Sequence, residues 1–235
     1  MRRIVVLVLL MNQLLCFAQM ASGNIISKKD TIGQNLQDKG SFRYPQLILP
    51  ATLMLAGLTL NGNGPKSLKN KIVAERNQRW SDFSTNVDDY LQYSPVVIAY
   101  GLDVFGSESY TDIQNRTAIF IKGELCMIAV TQLLKHTTHI QRPDYSNYNS
   151  FPSGHTAQAF AAATFLSQEY QYKYTWIPYA SYGIASSVGI LRMANNKHFI
   201  SDVLVGAGIG ILSMKLSYWT HQYKWNKNKR IVNNY

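Results

Sequence analysis

The sequence FPSGHT at residues 151–156 is the middle one of three short segments that decide how this chain is interpreted. The segment before it is KHTTHIQRP at residues 135–143, and the segment after it is RMANNKHFISD at residues 192–202. Together they contain histidines and fixed cations at spacings that suit one task, which is the handling of a phosphate group.

A phosphoryl group presents three anionic oxygens and one electrophilic phosphorus. Binding it calls for several fixed cations and backbone N–H groups. Breaking its ester calls for a nucleophile and a proton donor. The three segments contain residues of both kinds, so they predict a site for phosphoryl transfer.

The spacing of His198 and Asp202 predicts the nucleophile. The two residues are four apart, which on a helix places them on one face, one turn from each other. An aspartate bonded to one imidazole nitrogen fixes the tautomer and leaves the other nitrogen free to attack. We therefore expect His198 to form a phospho-histidine and Asp202 to orient it. His155, which opens a helical stretch, is the predicted general acid and later the base that activates water.

The phosphate-binding groups are predicted around these histidines. Ser153 and Gly154 lie where a helix begins, so their N–H groups are expected to point at an anion. The side chains of Lys135, Arg142 and Arg192 are expected to neutralise the transition state. This chemistry requires neither a metal ion nor a cofactor, and His136 and His139 are interpreted as a polar helix end.

The three segments resemble the signature of the type 2 phosphatidic acid phosphatase family, whose site is shared with the vanadium haloperoxidases. The family pattern is a Lys separated from Arg-Pro by six residues, then Pro-Ser-Gly-His, then Ser-Arg with a His and an Asp at fixed intervals. The matching residues are Lys135, Arg142, Pro143, Pro152, Ser153, Gly154, His155, Arg192, His198 and Asp202.

The resemblance covers roughly residues 94–220, and one position departs from it. Leu191 precedes Arg192 where the family usually has Ser, which affects fine tuning rather than the reaction class. The resemblance implies a helical bundle with the active site at one end. It also implies a metal-independent phosphatase.

Composition sets limits on the class of protein. The 235 residues are enough for one domain with a core, and the charged fraction of 15% is low for a soluble protein. The net charge of +10 comes from dispersed Lys and Arg without a nucleic-acid-binding motif, so no nucleic-acid partner is predicted. No protein partner is predicted either.

The two termini carry separate predictions. Residues 1–18 are expected to form a secretory signal, with Arg2 and Arg3 before an apolar run and cleavage before Gln19. An uncleaved signal anchor is the alternative. Cleavage would leave Cys126 as the single cysteine, which excludes an intramolecular disulfide. Residues 19–43 are expected to form a polar arm, and residues 224–235 a basic tail.

The region 44–223 is predicted to be one all-α phosphatase domain, because no β-rich stretch or internal repeat is visible. Helical or apolar stretches are expected at 44–60, 94–106, 117–134, 156–167, 176–191 and 198–219. The segment 66–90 is polar and amphipathic.

Membrane placement is left open between two alternatives. In the first, five stretches cross the membrane, 94–106 does not, and the site faces the periplasm, as the basic segment 66–79 favours by the positive-inside rule. In the second, the bundle is soluble or peripheral. The mean hydropathy of −0.12 is low for a polytopic membrane protein.

The leading hypothesis for function is a bacterial envelope phosphatase acting on a phosphorylated lipid. The candidate substrates are a lipid A phosphate, phosphatidic acid or phosphatidylglycerol phosphate, and undecaprenyl diphosphate. A soluble periplasmic acid phosphatase that accepts small phosphate esters is the alternative. A vanadium haloperoxidase and a silent binding protein are further rivals.

Overall fold

The computed structural model describes residues 42–62 and 64–222, and over those residues the chain is all-α. The predicted signal segment 1–18, the arm up to residue 41 and the tail 224–235 lie outside the described residues. The described helices are α1 (Pro45–Thr59), α2 (Leu68–Arg79), α3 (Val87–Leu91), α4 (Ser94–Val104), α5 (Ile113–Thr138), α6 (Gly154–Tyr170), α7 (Ile177–Ala194) and α8 (Ile200–Trp219).

Helix α8 is the centre of the bundle and is buried along almost its whole length. It packs against α6, α1 and α5, while α7 covers the other side of α6. Two glycines let the backbones of α8 and α6 touch. A Cβ atom on Gly206 would lie 2.5 Å from the carbonyl oxygen of Ser153, and one on Gly210 would overlap the carbonyl oxygen of Ala157. Such close packing of small residues places the start of α8 beside the start of α6.

Local signals explain several helix ends. Asp112 caps α5 by accepting a hydrogen bond from the N–H of Asn115 at 3.2 Å. The helix ends at His139, which has a left-handed backbone with φ of 47°. Helix α5 therefore extends beyond the predicted stretch 117–134 at both ends, and it includes Lys135.

A buried polar network closes the end of the bundle away from residues 151–156. The carboxylate of Glu169 accepts a hydrogen bond from the hydroxyl of Tyr218 at 2.6 Å and from the N–H of Thr111 at 2.8 Å. Beside it, the guanidinium of Arg116 pairs with Asp103. These contacts join the ends of α4, α6 and α8 to the start of α5, so the network fixes the bundle opposite the candidate site.

Two helices of the described part, α5 and α8, are long and apolar enough to cross a membrane by length and composition. The other expected crossings do not meet that test, and α1 is a shorter apolar helix. Helix α8 is enclosed by the bundle, whereas α5 exposes an apolar stripe. That stripe consists of Ile121, Leu125, Ile128 and Leu133.

The contact between α6 and α8 can be tested with Gly210→Ala. We expect this change to lower the free energy of unfolding by about 1–3 kcal/mol, because the added methyl group forces two backbones apart. Denaturant titration in detergent measures it. Gly183→Ala in α7 is the matched control, since a Cβ there meets no atom within 4 Å. Equal stability of the two variants would contradict the close contact.

Candidate active site

The three sequence segments meet where α6 and α8 begin and α5 ends. The N–H of Ser153 donates to the backbone carbonyl of Asp202 at 3.0 Å, which joins the second segment to the third. The ammonium of Lys135 donates to the carbonyl of Pro152 at 2.8 Å, which joins the first segment to the second. Folding therefore gathers residues from three parts of the chain at one end of the bundle.

His198 is buried, with 2% of its surface exposed, and its ring is held from one side. Its Nδ1 lies 2.7 Å from the carbonyl oxygen of Ser150. Because a carbonyl can only accept, Nδ1 carries the proton and Nε2 keeps a free lone pair. This is the tautomer that a nucleophilic imidazole requires.

The orientation of His198 differs from the prediction in two respects. His198 precedes α8 and is not on the helix, since α8 begins at Ile200. Asp202 lies 3.6 Å from Nδ1, beyond hydrogen-bond distance, so the carbonyl of Ser150 is the direct partner. The sequence could not show this contact, because a backbone carbonyl has no residue type that marks it.

Asp202 is fixed by its own hydrogen bonds. Its carboxylate accepts from the hydroxyl of Ser150 at 2.5 Å, the N–H of Phe199 at 3.0 Å and the hydroxyl of Ser201 at 3.1 Å. The contact with Phe199 caps the start of α8. Asp202 thus anchors the loop that presents His198 and places a negative charge near its ring.

Burial lowers the pKa of His198 to about 4. Asp202 raises this pKa, while the charges of Lys135 and Arg192 lower it further. Burial and the charge of Arg192 also lower the pKa of Arg142. Lys135 and Arg192 therefore oppose protonation of His198, whose imidazole is neutral at pH 7.

The two arginines present unused donors. The Nε atoms of Arg142 and Arg192 are buried and have no hydrogen-bond partner among the described residues. A buried guanidinium N–H without a partner costs free energy unless an anion satisfies it. This pair of donors therefore fits an anion with several oxygens, such as phosphate.

The start of α6 supplies fewer donors than expected. The N–H of Ser153 is taken by the carbonyl of Asp202, so the prediction that it faces an anion is wrong. The hydroxyl of Ser153 lies 2.8 Å from that of Thr156 and caps the helix. The N–H of Gly154 has no partner in the described part of the chain. A Cβ on Gly154 would lie 3.9 Å from Cε of Lys135, so Gly154 lies next to a site cation.

His155 and Arg192 each contact a carboxylate that the sequence did not single out. Nε2 of His155 lies 2.7 Å from Oδ1 of Asp89, and Nη1 of Arg192 lies 2.6 Å from Oδ2 of Asp88. Both aspartates lie on α3, in the segment that was interpreted only as polar and amphipathic. The available signal in the sequence was the adjacent pair Asp88-Asp89 after a basic stretch. Such acidic pairs are common on protein surfaces, so this one did not indicate a contact with the site.

These carboxylates do not form a convincing metal site. One ligand atom from each of Asp88, Asp89 and His155 lies within 4.8 Å of the others. However, Nη1 of Arg192 is 2.6 Å from Asp88 and 3.8 Å from Asp89, and this permanent positive charge opposes a second cation.

Comparison with known proteins identifies the class. Residues 118–226, which contain all three segments, match the family model of the PAP2 superfamily. This match confirms the resemblance of the three segments to the type 2 phosphatidic acid phosphatases.

One curated relative is a lipid A 1-phosphatase of Porphyromonas gingivalis. It is 38% identical over 141 residues, which are 58% of this chain and 31% of the relative. The chain thus matches about a third of the length of that relative.

Two solved structures match parts of this chain. Aquifex aeolicus LpxE has a TM-score of 0.47 at 23% identity, covering 62% of this chain and 93% of that protein. The first transmembrane PAP2 type phosphatidylglycerolphosphate phosphatase from Bacillus subtilis has a TM-score of 0.46 at 22% identity. That match covers 72% of this chain and 94% of the other.

The unused donor on Arg142 can be tested with Arg142→Lys and orthovanadate, a tetrahedral analogue of phosphate. We expect vanadate to bind about 10-fold more weakly or worse, because a lysine keeps the charge but lacks the Nε–H. Calorimetric titration gives the dissociation constant. Arg79→Lys is the control, since Arg79 is exposed and pairs with Glu75 at 3.3 Å. Unchanged affinity in Arg142→Lys would remove this guanidinium from the anion site.

Proposed function

We propose that the protein is a membrane phosphatase that removes a phosphate group from an envelope lipid, with a lipid A phosphate as the leading substrate. The observation that carries this proposal is the arrangement around His198. A buried, neutral imidazole keeps Nε2 free, and Arg192 lies near it. The Nε–H groups of Arg192 and of the neighbouring Arg142 have no partner among the described residues.

The reaction has two steps. In the first, Nε2 of His198 attacks the phosphorus, the bond from phosphorus to the lipid oxygen breaks, and His155 gives its proton to that oxygen. In the second, His155 takes a proton from water, the water oxygen bonds to phosphorus, and the bond from nitrogen to phosphorus breaks. Inorganic phosphate leaves and both histidines return to their starting states.

The cations act on the charge that develops during both steps. Arg142 and Arg192 can donate from Nε. The N–H of Gly154 at the start of α6 makes no backbone hydrogen bond among the described residues. The ammonium of Lys135 holds two backbone carbonyls at 2.8 Å each, which fixes its charge beside the same loop. Donors fixed before the reaction stabilise the transition state without reorganisation.

The lipid substrate is supported by a named relative and by the surface. The Porphyromonas gingivalis relative is named a lipid A 1-phosphatase, and it is 38% identical over the matched residues. The apolar stripe of α5 is exposed, and Ile48, Leu55 and Leu58 of α1 are also exposed. Helix α5 has 26 residues, which at about 1.5 Å each exceeds a hydrocarbon core of about 30 Å.

If α5 crosses the membrane, the site lies at a membrane surface, because Lys135 is in the last turn of α5. The net charge of +10 favours approach to anionic lipid. We propose that this surface faces the periplasm in a bacterial envelope. The other lipids named above, phosphatidic acid, phosphatidylglycerol phosphate and undecaprenyl diphosphate, share the same reacting group.

A soluble acid phosphatase is the second candidate, and the burial of α8 favours it. A helix enclosed by its own bundle passes the same length and composition test without contacting lipid. The two candidates differ in location and substrate. Activity in a detergent-free soluble fraction, with small esters preferred over lipids, would support the soluble protein.

The nucleophile is tested by His198→Ala against a panel of phosphorylated lipids and p-nitrophenyl phosphate. We expect wild type to release phosphate from lipid A phosphate in detergent, and His198→Ala to lose activity by roughly 1000-fold or more. His136→Ala, a change at an exposed histidine, is the control. Rapid acid-free quenching with radiolabelled substrate should trap phosphate on wild type alone. Near-normal turnover by His198→Ala would refute the mechanism.

The pH profile of kcat/KM gives a separate test. The pKa of His198 is lowered to about 4, so its nucleophilic neutral form persists until the pH falls through that value. Burial and Arg192 lower the pKa of His155 below its ordinary 6.5, so its acidic form is lost as the pH rises. We expect a bell-shaped profile with an acid limb near pH 4 and a basic limb below 6.5, after correction for substrate ionisation. An acid limb above pH 6 would contradict the assignment of His198.

A further inference from the structure

The short helix α3 lies outside the residues that match the PAP2 family model, yet it contacts the site directly. Three hydrogen bonds join α3 and the preceding Thr85 to the end of α7. The side chain of Asn195 donates to Oδ1 of Asp88 at 3.0 Å and to the carbonyl of Thr85 at 2.8 Å. Arg192 donates to Oδ2 of Asp88 at 2.6 Å. Asp88 is fully buried, and both of its carboxylate oxygens already accept hydrogen bonds from the end of α7.

Hydrogen bonds from Arg76 also fix the loop before α3. Arg76 of α2 donates from Nε to the carbonyl of Ala194 at 2.8 Å and from Nη2 to the carbonyl of Phe83 at 3.0 Å. The loop between α2 and α3 is thus tied to the end of α7, the helix that carries Arg192. Asp89 is the next residue after the anchored Asp88, so its position relative to the site is fixed by the fold.

We propose that Asp89 is a positioning residue for His155. Its carboxylate holds the imidazole through Nε2, so that Nδ1 faces the substrate. This inference rests on the proposed function. Oδ1 of Asp89 lies 2.7 Å from Nε2, and Nδ1 of His155 has no hydrogen-bond partner among the described residues. In the protonated ring both nitrogens carry hydrogen, one bonded to Asp89 and the other available to the leaving oxygen. After that transfer, Nδ1 has a lone pair that can accept a proton from water.

The charges around His155 give Asp89 a second effect. Burial and Arg192 of α7 lower the pKa of His155, while Asp89 and Asp88 of α3 raise it. From α5, Lys135 adds positive charge next to Gly154. Because Asp88 is already paired with Arg192, Asp89 is the carboxylate in direct contact with the ring. Without it, the acidic form of His155 would be lost at a lower pH.

The rival role for Asp89 is that of an internal anion that competes with phosphate. Its carboxylate is 3.8 Å from Nη1 of Arg192, and its side chain is 49% exposed. A competing anion and a positioning residue predict opposite changes. Removal of a competitor lowers KM and raises kcat/KM, whereas removal of a positioning residue lowers kcat.

The test compares Asp89→Asn with wild type on two substrates in the same detergent. p-Nitrophenyl phosphate has a good leaving group that needs little protonation, whereas phosphatidic acid releases an alcohol that needs a proton donor. For Asp89→Asn we expect kcat to fall about 100-fold or more on phosphatidic acid and less than about 10-fold on p-nitrophenyl phosphate. We also expect the basic limb of kcat/KM to move to lower pH, and Asp89→Glu to recover part of the loss.

Asp82→Asn is the matched control, because Asp82 is an exposed aspartate of the same loop that contacts Ser81 at 3.2 Å. Equal losses on both substrates, an unmoved basic limb, or a lowered KM with higher kcat/KM would each overturn the role of Asp89. Failure of the proposed function looks different. In that case wild type itself releases no phosphate, or His198→Ala remains as active as wild type.

Discussion

The close contact between the backbones of α6 and α8 is the constraint on which the rest of the molecule depends. Glycine at 206 lets α8 approach the carbonyl of Ser153 at the very start of α6. The hydrogen bond from the N–H of Ser153 to the carbonyl of Asp202 then joins the two helix starts directly. Because His155 lies at the start of α6 and His198 just before α8, the distance between the proposed acid and the proposed nucleophile is set by backbone packing. Side chains alone could not hold it as firmly.

Carboxylates around the site offset its positive charge. The site concentrates positive charge in a partly buried place, which is costly unless carboxylates offset it. Asp88 pairs with Arg192 at 2.6 Å, Asp144 pairs with Lys197 at 2.6 Å, and Asp202 lies near His198. Lys197 also lowers the pKa of Asp144. The Nε–H groups of Arg142 and Arg192 have no partner in the described structure. The carboxylates therefore reduce the positive charge of the site without occupying the donors that fit an anion.

The prediction from sequence was most accurate where the information is local. The three segments have fixed internal spacings, so residue types alone indicated phosphate chemistry, and the family comparison confirms that class. It was wrong where a partner is distant or is part of the backbone. The carbonyl that holds His198 belongs to Ser150, 48 residues earlier, and the carboxylate at His155 comes from 66 residues earlier. No periodicity in the sequence connects such positions.

The sequence by itself determined the all-α class and the phosphatase class, because these follow from composition and short spacings, and it predicted which residues form the site. Only the tertiary structure decided which atoms those residues face. In the folded chain, His198 lies before α8 and not on it. The N–H of Ser153 donates to the backbone carbonyl of Asp202, and Asp89 of α3 contacts His155. The physical reason is that hydrogen-bond partners are chosen by distance in the folded chain, which depends on how whole helices pack.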